Sequence, residues 1–352
     1  MLSTFVFIAV LSILILVHEL GHFAMAKRCG VKVERFSLGF GPKLIAVTKG
    51  ETEYCLSAIP LGGYVKMAGE SPQDSLTGAS WEFLSKSPGE RFSIVIFGPL
   101  LNYLLGFLLF SATFMLGSPT LTNKVGKVLD EYPAKEAGVL AGDEVVSIDG
   151  EKVVYWDELT EIMHKKLEGT VRLVIMRDGA SKELTLKPRV KEFKDIFGKE
   201  IKVAMVGIAP SEELVFQKFG PLEALSRGFS KTIELTVVTF KALGSLVTGR
   251  MSMRESVTGP IGIFMITAKA ASLGLVYLLN IMAIISTSLA IFNILPIPIL
   301  DGGHLAFIAI ERLRRRPVSP RIQETVSQIG FGLLLLLMFF VFYFDIMRVI
   351  GK

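Results

Sequence analysis

The chain has 352 residues, of which 51% are hydrophobic and 20% are charged, and its formal net charge is +5. Because soluble domains contain roughly 25% charged residues and rarely have long uncharged runs, this composition excludes a fully soluble protein and indicates a membrane protein with a soluble part. The positive balance follows the distribution of lysine and arginine around the predicted spans and favours contact with anionic lipid, so it gives no reason to infer nucleic-acid binding.

The first apolar run extends from Phe5 to Val17 and ends directly in a His-Glu-x-x-His motif. On a helix, His18 and His22 lie one turn apart on the same face, so their ring nitrogens can bind one metal ion, with Glu19 beside them as a proton acceptor. No basic residue precedes the run, as a signal peptide would require. We therefore predict a retained span over residues 4–26, with a cleaved signal peptide as the alternative.

The segment over residues 31–67 is rich in valine, phenylalanine, leucine and tyrosine and is punctuated by glycine, which predicts short strands and hairpin turns. A small sheet next to the end of the first helix would offer a free edge to an extended substrate, which could pair with it through main-chain hydrogen bonds. An ordinary loop at the membrane surface is the alternative interpretation.

The second apolar run, Phe92 to Leu116, is long enough to cross a bilayer. Nine lysine and arginine residues lie between the first two spans, which predicts that this loop is cytoplasmic. Cys29 and Cys55 both lie in it, where a disulfide is disfavoured. The segment after the second span is then on the outer side, together with both termini.

In the outer segment, predicted as a domain over residues 119–212, the run from Pro133 to Gly150 has a helix-turn-strand-turn order, and about residues 125–210 resemble a PDZ domain. Gly138 is typical of a helix end, and Asp149-Gly150 is typical of a two-residue hairpin turn. The remaining elements of the predicted domain are the strand Val145–Ile148, the groove helix Trp156–Leu167, the strands Val171–Met176 and Glu183–Leu186, and an edge strand Val203–Ile208. PDZ domains bind peptide tails by strand addition, and a rigid spacer without a ligand is the alternative.

Residues 213–269 are predicted to form amphipathic helices. Apolar residues recur every three or four positions from Leu222 to Val247, with charged residues between them. This pattern favours helices on the outer membrane surface or against the transmembrane bundle, and a fifth span is the alternative.

The third apolar run, Ala270 to Leu300, is interrupted near its end by Pro296 and Pro298 and is followed directly by Asp301. The prolines remove backbone donors and should break the helix. A carboxylate at membrane depth is costly unless a cation offsets its charge, so Asp301 is the strongest candidate for a third metal ligand. The fourth run is Thr325 to Phe344.

A catalytic zinc requires three protein ligands and an open position for water, and His18, His22 and Asp301 would supply the three. In the predicted topology His18 and His22 lie near the cytoplasmic end of the first span and Asp301 near that of the third, so the two motifs have matching depths. Asn293 could donate a hydrogen bond to the substrate backbone or satisfy carbonyls freed by the broken helix. His304 is interpreted as an interface residue, with a supporting hydrogen bond as the alternative.

Taken in order, the motifs along the chain resemble those of the site-2 intramembrane metalloproteases, and among them the bacterial RseP-type (regulator of sigma-E protease) enzymes. The motifs are His18-Glu19-x-x-His22, Gly39-Phe40-Gly41-Pro42, Pro60-Leu61-Gly62-Gly63-Tyr64-Val65, Gly98-Pro99-x-x-Asn102 and Asn293-x-x-Pro296-x-Pro298-x-Leu300-Asp301-Gly302.

The resemblance implies Zn²⁺ bound by His18, His22 and Asp301, with Glu19 as the catalytic general base. It also implies substrate binding by Asn293 and Asn102 and by the loop that contains Gly62, Gly63 and Tyr64. Substrates would be transmembrane segments of single-pass proteins, such as trimmed anti-sigma factors or remnant signal peptides, cut in regulated intramembrane proteolysis in the bacterial inner membrane. A single PDZ unit departs from the tandem pair of the best-known RseP, which puts filtering of substrates by size in doubt.

The predicted fold is therefore a membrane α-helical protein: four transmembrane helices form a zinc-protease core, with a small cytoplasmic β-sheet region and an exported α+β PDZ domain. The predicted domains are residues 1–118 with the first two spans, 119–212 with the PDZ domain, 213–269 with interfacial helices and 270–352 with the last two spans. A non-enzymatic scaffold with a structural metal and a transporter with a broken helix are the competing hypotheses.

Overall fold

The computed structural model describes residues 2–71, 77–195, 197–252 and 257–350. It divides into two compact units. The membrane unit comprises Met1–Thr113, Pro221–Phe240 and Met253–Lys352, and the strand-rich unit comprises Phe114–Gly220 and Lys241–Ser252.

The membrane unit begins with helix α1, Leu2–Arg28, which is followed by strands β1, Val33–Lys49, and β2, Thr52–Met67, and then by helix α2, Pro88–Leu116. Both strands bend, because residues 35–38 of β1 face residues 53–56 on one side and residues 63–66 on the other. The hairpin therefore forms four short strand segments in the spatial order 43–49, 52–56, 33–38 and 63–67. The segment 63–67 is one outer edge of this sheet.

The strand-rich unit contains ten short strands and two helices within its described residues. They are β3 Ser118–Leu121, β4 Val125–Val128, α3 Pro133–Glu136, β5 Glu144–Ile148, β6 Glu151–Lys152, α4 Trp156–Lys165, β7 Val171–Arg177, β8 Ala180–Leu186, β9 Arg189–Lys194, β10 Glu200–Met205, β11 Ile208–Pro210 and β12 Leu214–Gln217. An antiparallel sheet in the order β6-β5-β7-β8 is accompanied by the pairs β9/β10, β4/β11 and β3/β12. Trp156, Leu159 and Met163 of α4 pack into its core.

The predicted edge strand Val203–Ile208 is corrected by the structure. Gly207 has φ 85°, a left-handed conformation that breaks the extended chain between β10 and β11. As a result β10 pairs with β9, whereas β11 pairs with β4.

A buried ion pair joins the loop before β5 to the end of β7. Asp143 accepts hydrogen bonds from Nε of Arg177 at 2.6 Å and from the N–H of Leu140 at 2.8 Å. Burial raises the pKa of the Asp143 carboxyl, but the guanidinium and the backbone N–H outweigh burial and hold its pKa below the usual range. The carboxylate therefore stays ionised and fixes this loop on the sheet.

The membrane unit resumes with helix α5, Pro221–Val247, whose first part packs antiparallel to α2. The Tyr103 and Thr236 hydroxyls lie 2.9 Å apart, and a Cβ on Gly228 would lie 2.2 Å from Oγ of Ser111. Small residues thus face α2, while the predicted apolar stripe, including Leu222, Phe229 and Phe240, is exposed.

In the described part of residues 257–350, four helices complete the unit: α6 Pro260–Leu273, α7 Leu275–Ile294, α8 Asp301–Arg314 and α9 Pro320–Val349. The third predicted span, Ala270 to Leu300, is shorter in the structure, because Gly274, at φ 122°, separates α6 from α7 and the proline-containing loop separates α7 from α8. Among the described residues, four helices are long and apolar enough to cross a membrane, namely α1, α2, α7 and α9. The prediction of four apolar spans is confirmed.

Candidate metal centre

Three side chains from distant parts of the chain meet in the membrane unit. His18 and His22 lie on α1, and Asp301 is the first residue of α8. Nε2 of His18 lies 3.2 Å from Nε2 of His22 and 3.1 Å from Oδ2 of Asp301, and Nε2 of His22 lies 3.5 Å from Oδ1 of Asp301. One donor atom from each residue therefore faces a common point.

The orientation of the His22 ring is set by the neighbouring helix. Its Nδ1 lies 3.0 Å from the carbonyl oxygen of Ile94 on α2 and can donate a hydrogen bond to it. A proton on Nδ1 leaves the lone pair of Nε2 free for a cation. Nδ2 of Asn293, near the end of α7, lies 3.4 Å from Nε2 of His18.

Glycines let α1 and α2 approach closely enough to build this site. A Cβ on Gly98 would lie 2.2 Å from Nε2 of His22, and a Cβ on Gly21 would lie 2.3 Å from the carbonyl oxygen of Phe97. Sequence reasoning included Gly98 only as part of a motif and missed this contact. The available signal was a Gly-Pro pair inside an apolar span.

Asp301 is presented by a tight turn between α7 and α8. Cβ atoms on Gly302 and Gly303 would lie 1.9 Å from the carbonyl oxygen of Leu295 and 2.7 Å from that of Ile297. The loop therefore folds directly onto the first turn of α8, where the helix dipole also favours a carboxylate. Only glycine fits at these two positions without movement of the backbone.

A cavity of about 320 Å³ connects the candidate ligands to the sheet edge at 63–67. A Cβ on Gly63 would lie 3.2 Å from Cγ of Glu19, and the N–H of Val65 interacts with the Glu19 carboxylate. The cavity lining includes all three candidate ligands together with Glu19, Tyr64, Val65, Asn293 and His304, and also Glu70 and Phe83, which sequence reasoning missed.

The predicted substrate-binding residues fall into two groups. Asn293 and Tyr64 line the cavity, and the Tyr64 ring stacks on Phe40 with centroids 6.0 Å apart; Gly62 and Gly63 lie on the same strand. Asn102 is fully buried and does not line the cavity. Its backbone carbonyl accepts a hydrogen bond from Ser286, while its side-chain amide has no partner among the described residues.

The donor set fits a divalent transition metal. Two imidazoles and one carboxylate are typical ligands of catalytic zinc. Within the described ranges, these three residues are the ones whose donor atoms lie close enough together to share an ion, all within 4.8 Å of one another. His304 lines the cavity but is not part of this group.

Comparison with known proteins identifies relatives along nearly the whole chain. Residues 6–337 match the sequence model of Peptidase family M50. A protein of Agrobacterium fabrum named "Putative zinc metalloprotease" is 35% identical, with 98% of this chain and 96% of the relative covered. A protein of the same name from Clostridium perfringens is 37% identical, with 95% and 96% covered. The match to the solved PDZ domain of the SdrC-like protein from Listeria monocytogenes covers 25% of this chain and 84% of that one, at 24% identity and a TM-score of 0.21.

Proposed function

We propose, from the premise that this chain belongs to peptidase family M50, that it is a zinc metalloendopeptidase that cleaves membrane proteins within the bilayer. The observation that carries this proposal is the convergence of His18, His22 and Asp301 beside Glu19 on one cavity. His18 and His22 lie on α1, a helix long and apolar enough to cross a membrane, so we infer that the scissile peptide bond belongs to a membrane protein. An enzyme of this kind is a multi-pass membrane protein.

In the proposed mechanism His18, His22 and Asp301 hold the metal. When bound, zinc supplies a Lewis acid that polarises the scissile carbonyl and lowers the pKa of its water toward roughly 7. Glu19, which is not one of the candidate ligands, would accept a proton at its carboxylate as general base and return it to the departing amine as general acid. The hydrogen bond from His22 to Ile94 holds the imidazole in place. Asn293, which lines the cavity with its Nδ2 3.4 Å from Nε2 of His18, would donate to the substrate backbone.

The sheet edge at 63–67 is the proposed place for the substrate. Among the described strands, none pairs with its outer side, and Val65 on this edge faces Glu19. An unwound segment of the substrate would add as a further strand and bring its peptide bond beside the metal. Asn102 would then act on substrate only indirectly, through its position in α2, because it is buried away from the cavity.

The proposed substrates are transmembrane segments of single-pass proteins, such as anti-sigma factors already trimmed outside the membrane, or remnant signal peptides. This assignment follows the RseP-type motifs and the position of the cavity at a spanning helix. We propose that residues 119–212 form an exported PDZ domain and that the site faces the cytoplasmic side of the bacterial inner membrane, in keeping with the excess of lysine and arginine in the loop between the first two spans.

Chelation tests the proposed function directly. The purified full-length protein in detergent is expected to cut a single-pass model substrate inside its apolar segment, to stop when phenanthroline removes the metal, and to resume when Zn²⁺ is restored. Mass spectrometry of the products locates the cleaved bond. Cleavage that persists without metal would eliminate the zinc mechanism, and an intact substrate under all conditions would favour the scaffold hypothesis.

A second prediction concerns the contact between α2 and His22. Gly98→Ala is expected to displace the imidazole, because the added methyl group would overlap Nε2, so bound zinc and activity should both fall by about tenfold or more. Gly89→Ala is the matched control, since Gly89 lies on the same helix with open space around it. Equal zinc content in the two variants, measured by elemental analysis, would contradict the close approach.

A further inference from the structure

A second polar site lies at the opposite end of α8 from Asp301. Five arginines, Arg312, Arg314, Arg315, Arg316 and Arg321, follow one another closely between the last turn of α8 and the first turn of α9. In the part of the chain that the structure describes, none of these guanidinium groups pairs with a carboxylate. All five are exposed, so this concentration of positive charge is accessible to an anionic partner from outside the chain.

Three of these arginines line one cavity. Arg312, Arg315 and Arg316 surround a space of about 270 Å³ together with Pro88, Glu311 and Pro317. The Glu311 carboxylate does not neutralise them, because it is paired with the buried guanidinium of Arg91, whose Nε also donates to the carbonyl oxygen of Lys86 at 3.1 Å. The cavity consequently presents three uncompensated positive charges.

The backbone at the end of α8 sets how the neighbouring arginines are placed. Arg315 ends α8 with φ 53° and ψ 25°, the left-handed conformation that a helix normally gives to glycine or asparagine. An arginine at this position turns the chain so that Arg312, before the turn, and Arg316, after it, line the same cavity.

Apolar side chains beside the arginines indicate the kind of ligand. Leu313 is 85% exposed, and Ile310 and Ile322 are also exposed, although all three lie in the same turns as the arginines. A water-soluble anion would leave these side chains in water, whereas the acyl chains of a lipid would cover them. The arginines also adjoin a spanning helix, α9, where lipid headgroups are within reach.

We propose that the cavity lined by Arg312, Arg315 and Arg316 binds the phosphate of an anionic phospholipid, whose acyl chains lie against the neighbouring exposed apolar residues. The guanidinium group donates paired hydrogen bonds that match phosphate oxygens, which makes arginine better suited to this task than lysine. The proposal is independent of the proteolytic function, since the cavity shares no lining residue with the metal centre.

The test uses the full-length protein in phosphatidylcholine nanodiscs that contain increasing amounts of phosphatidylglycerol, with native mass spectrometry to count retained lipid. Arg312→Gln/Arg316→Gln is expected to weaken retention of phosphatidylglycerol at least roughly 300-fold, because each substitution removes about fivefold of diffuse attraction and, in addition, the direct charge-assisted hydrogen bonds to the phosphate. Arg314→Gln/Arg321→Gln is the matched control: it removes the same charge from the same segment, but neither residue lines the cavity. The control pair loses only the diffuse attraction, so it should change retention roughly 30-fold at most, about tenfold less than the cavity pair.

The outcomes distinguish binding of lipid in the cavity from diffuse electrostatic attraction of the whole segment to the membrane. Equal losses in the two double variants would overturn the proposal, as would wild-type protein that retains no phosphatidylglycerol. Inorganic phosphate tests whether the cavity binds free phosphate rather than the phosphate of a lipid headgroup. It is expected not to displace the lipid at millimolar concentration, and displacement as effective as that by added phosphatidylglycerol would show a site for free phosphate instead.

Discussion

Replacement of Glu19 by glutamine is expected to reduce cleavage of a transmembrane substrate at least about 1,000-fold while the zinc content stays unchanged. Glu19 is not among the three candidate ligands, so its loss as a base does not remove a donor atom from the metal. Glutamine has the same shape and can still accept a hydrogen bond from the N–H of Val65, but it cannot take a proton. Initial cleavage rates and elemental analysis on the same preparation measure the two effects.

The matched control for this variant is Glu70→Gln, since Glu70 is another carboxylate in the lining of the same cavity. Glu70 accepts a hydrogen bond from the N–H of Met67 and has no place in the proposed proton transfer. Its replacement should leave activity within about threefold of wild type, in the range of ordinary surface substitutions. A Glu19→Gln protein as active as Glu70→Gln would remove Glu19 from the mechanism.

The spans and the two halves of the metal centre were accessible to sequence reasoning for simple physical reasons. Long uncharged runs have few alternatives to crossing a bilayer, and a histidine pair at helical spacing points to one face. Asp301 stands out because a carboxylate directly after an apolar run is costly without a cation. These arguments use local composition, which does not depend on how the chain folds.

Other features depend on contacts between distant segments and could not be derived in this way. The order of the four segments in the β1/β2 sheet arises because residues 35–38 pair on both sides, which no local pattern encodes. The burial of Asn102 depends on how α2 rotates against α7, where Ser286 donates to its carbonyl. The prolines predict the break before α8, but the fold of the loop over residues 295–300 onto Gly302 and Gly303 in the first turn of α8 is a contact that no local pattern encodes.

The exposed apolar stripe of α5 is a further feature whose packing the sequence pattern does not determine. The segment forms a helix, yet its closest approach to α2 is made by a small residue, Gly228, and its large apolar residues are exposed, although the Phe229 ring also meets Phe107 of α2 edge-on. In water the apolar face would be buried against protein, whereas beside a bilayer close packing of small residues joins the helices and lipid can cover the large ones. The periodicity alone does not show whether a helix face contacts protein, water or lipid.

Asp301→Ala is expected to lower the zinc content, whereas Glu19→Gln leaves it unchanged, because the alanine variant removes a metal-donor atom rather than a base. Zinc affinity is expected to fall at least about 100-fold, because loss of a residue that only supports a metal ligand already costs up to about 100-fold. Activity should fall with the metal content. The loss should be recovered in part by excess Zn²⁺, which Glu19→Gln would not show. His304→Ala is the control, as His304 lies one turn further along α8 and lines the same cavity without joining the ligand group. If Asp301→Ala kept stoichiometric zinc while His304→Ala lost it, the third ligand would be the histidine and the geometry inferred for the centre would be wrong.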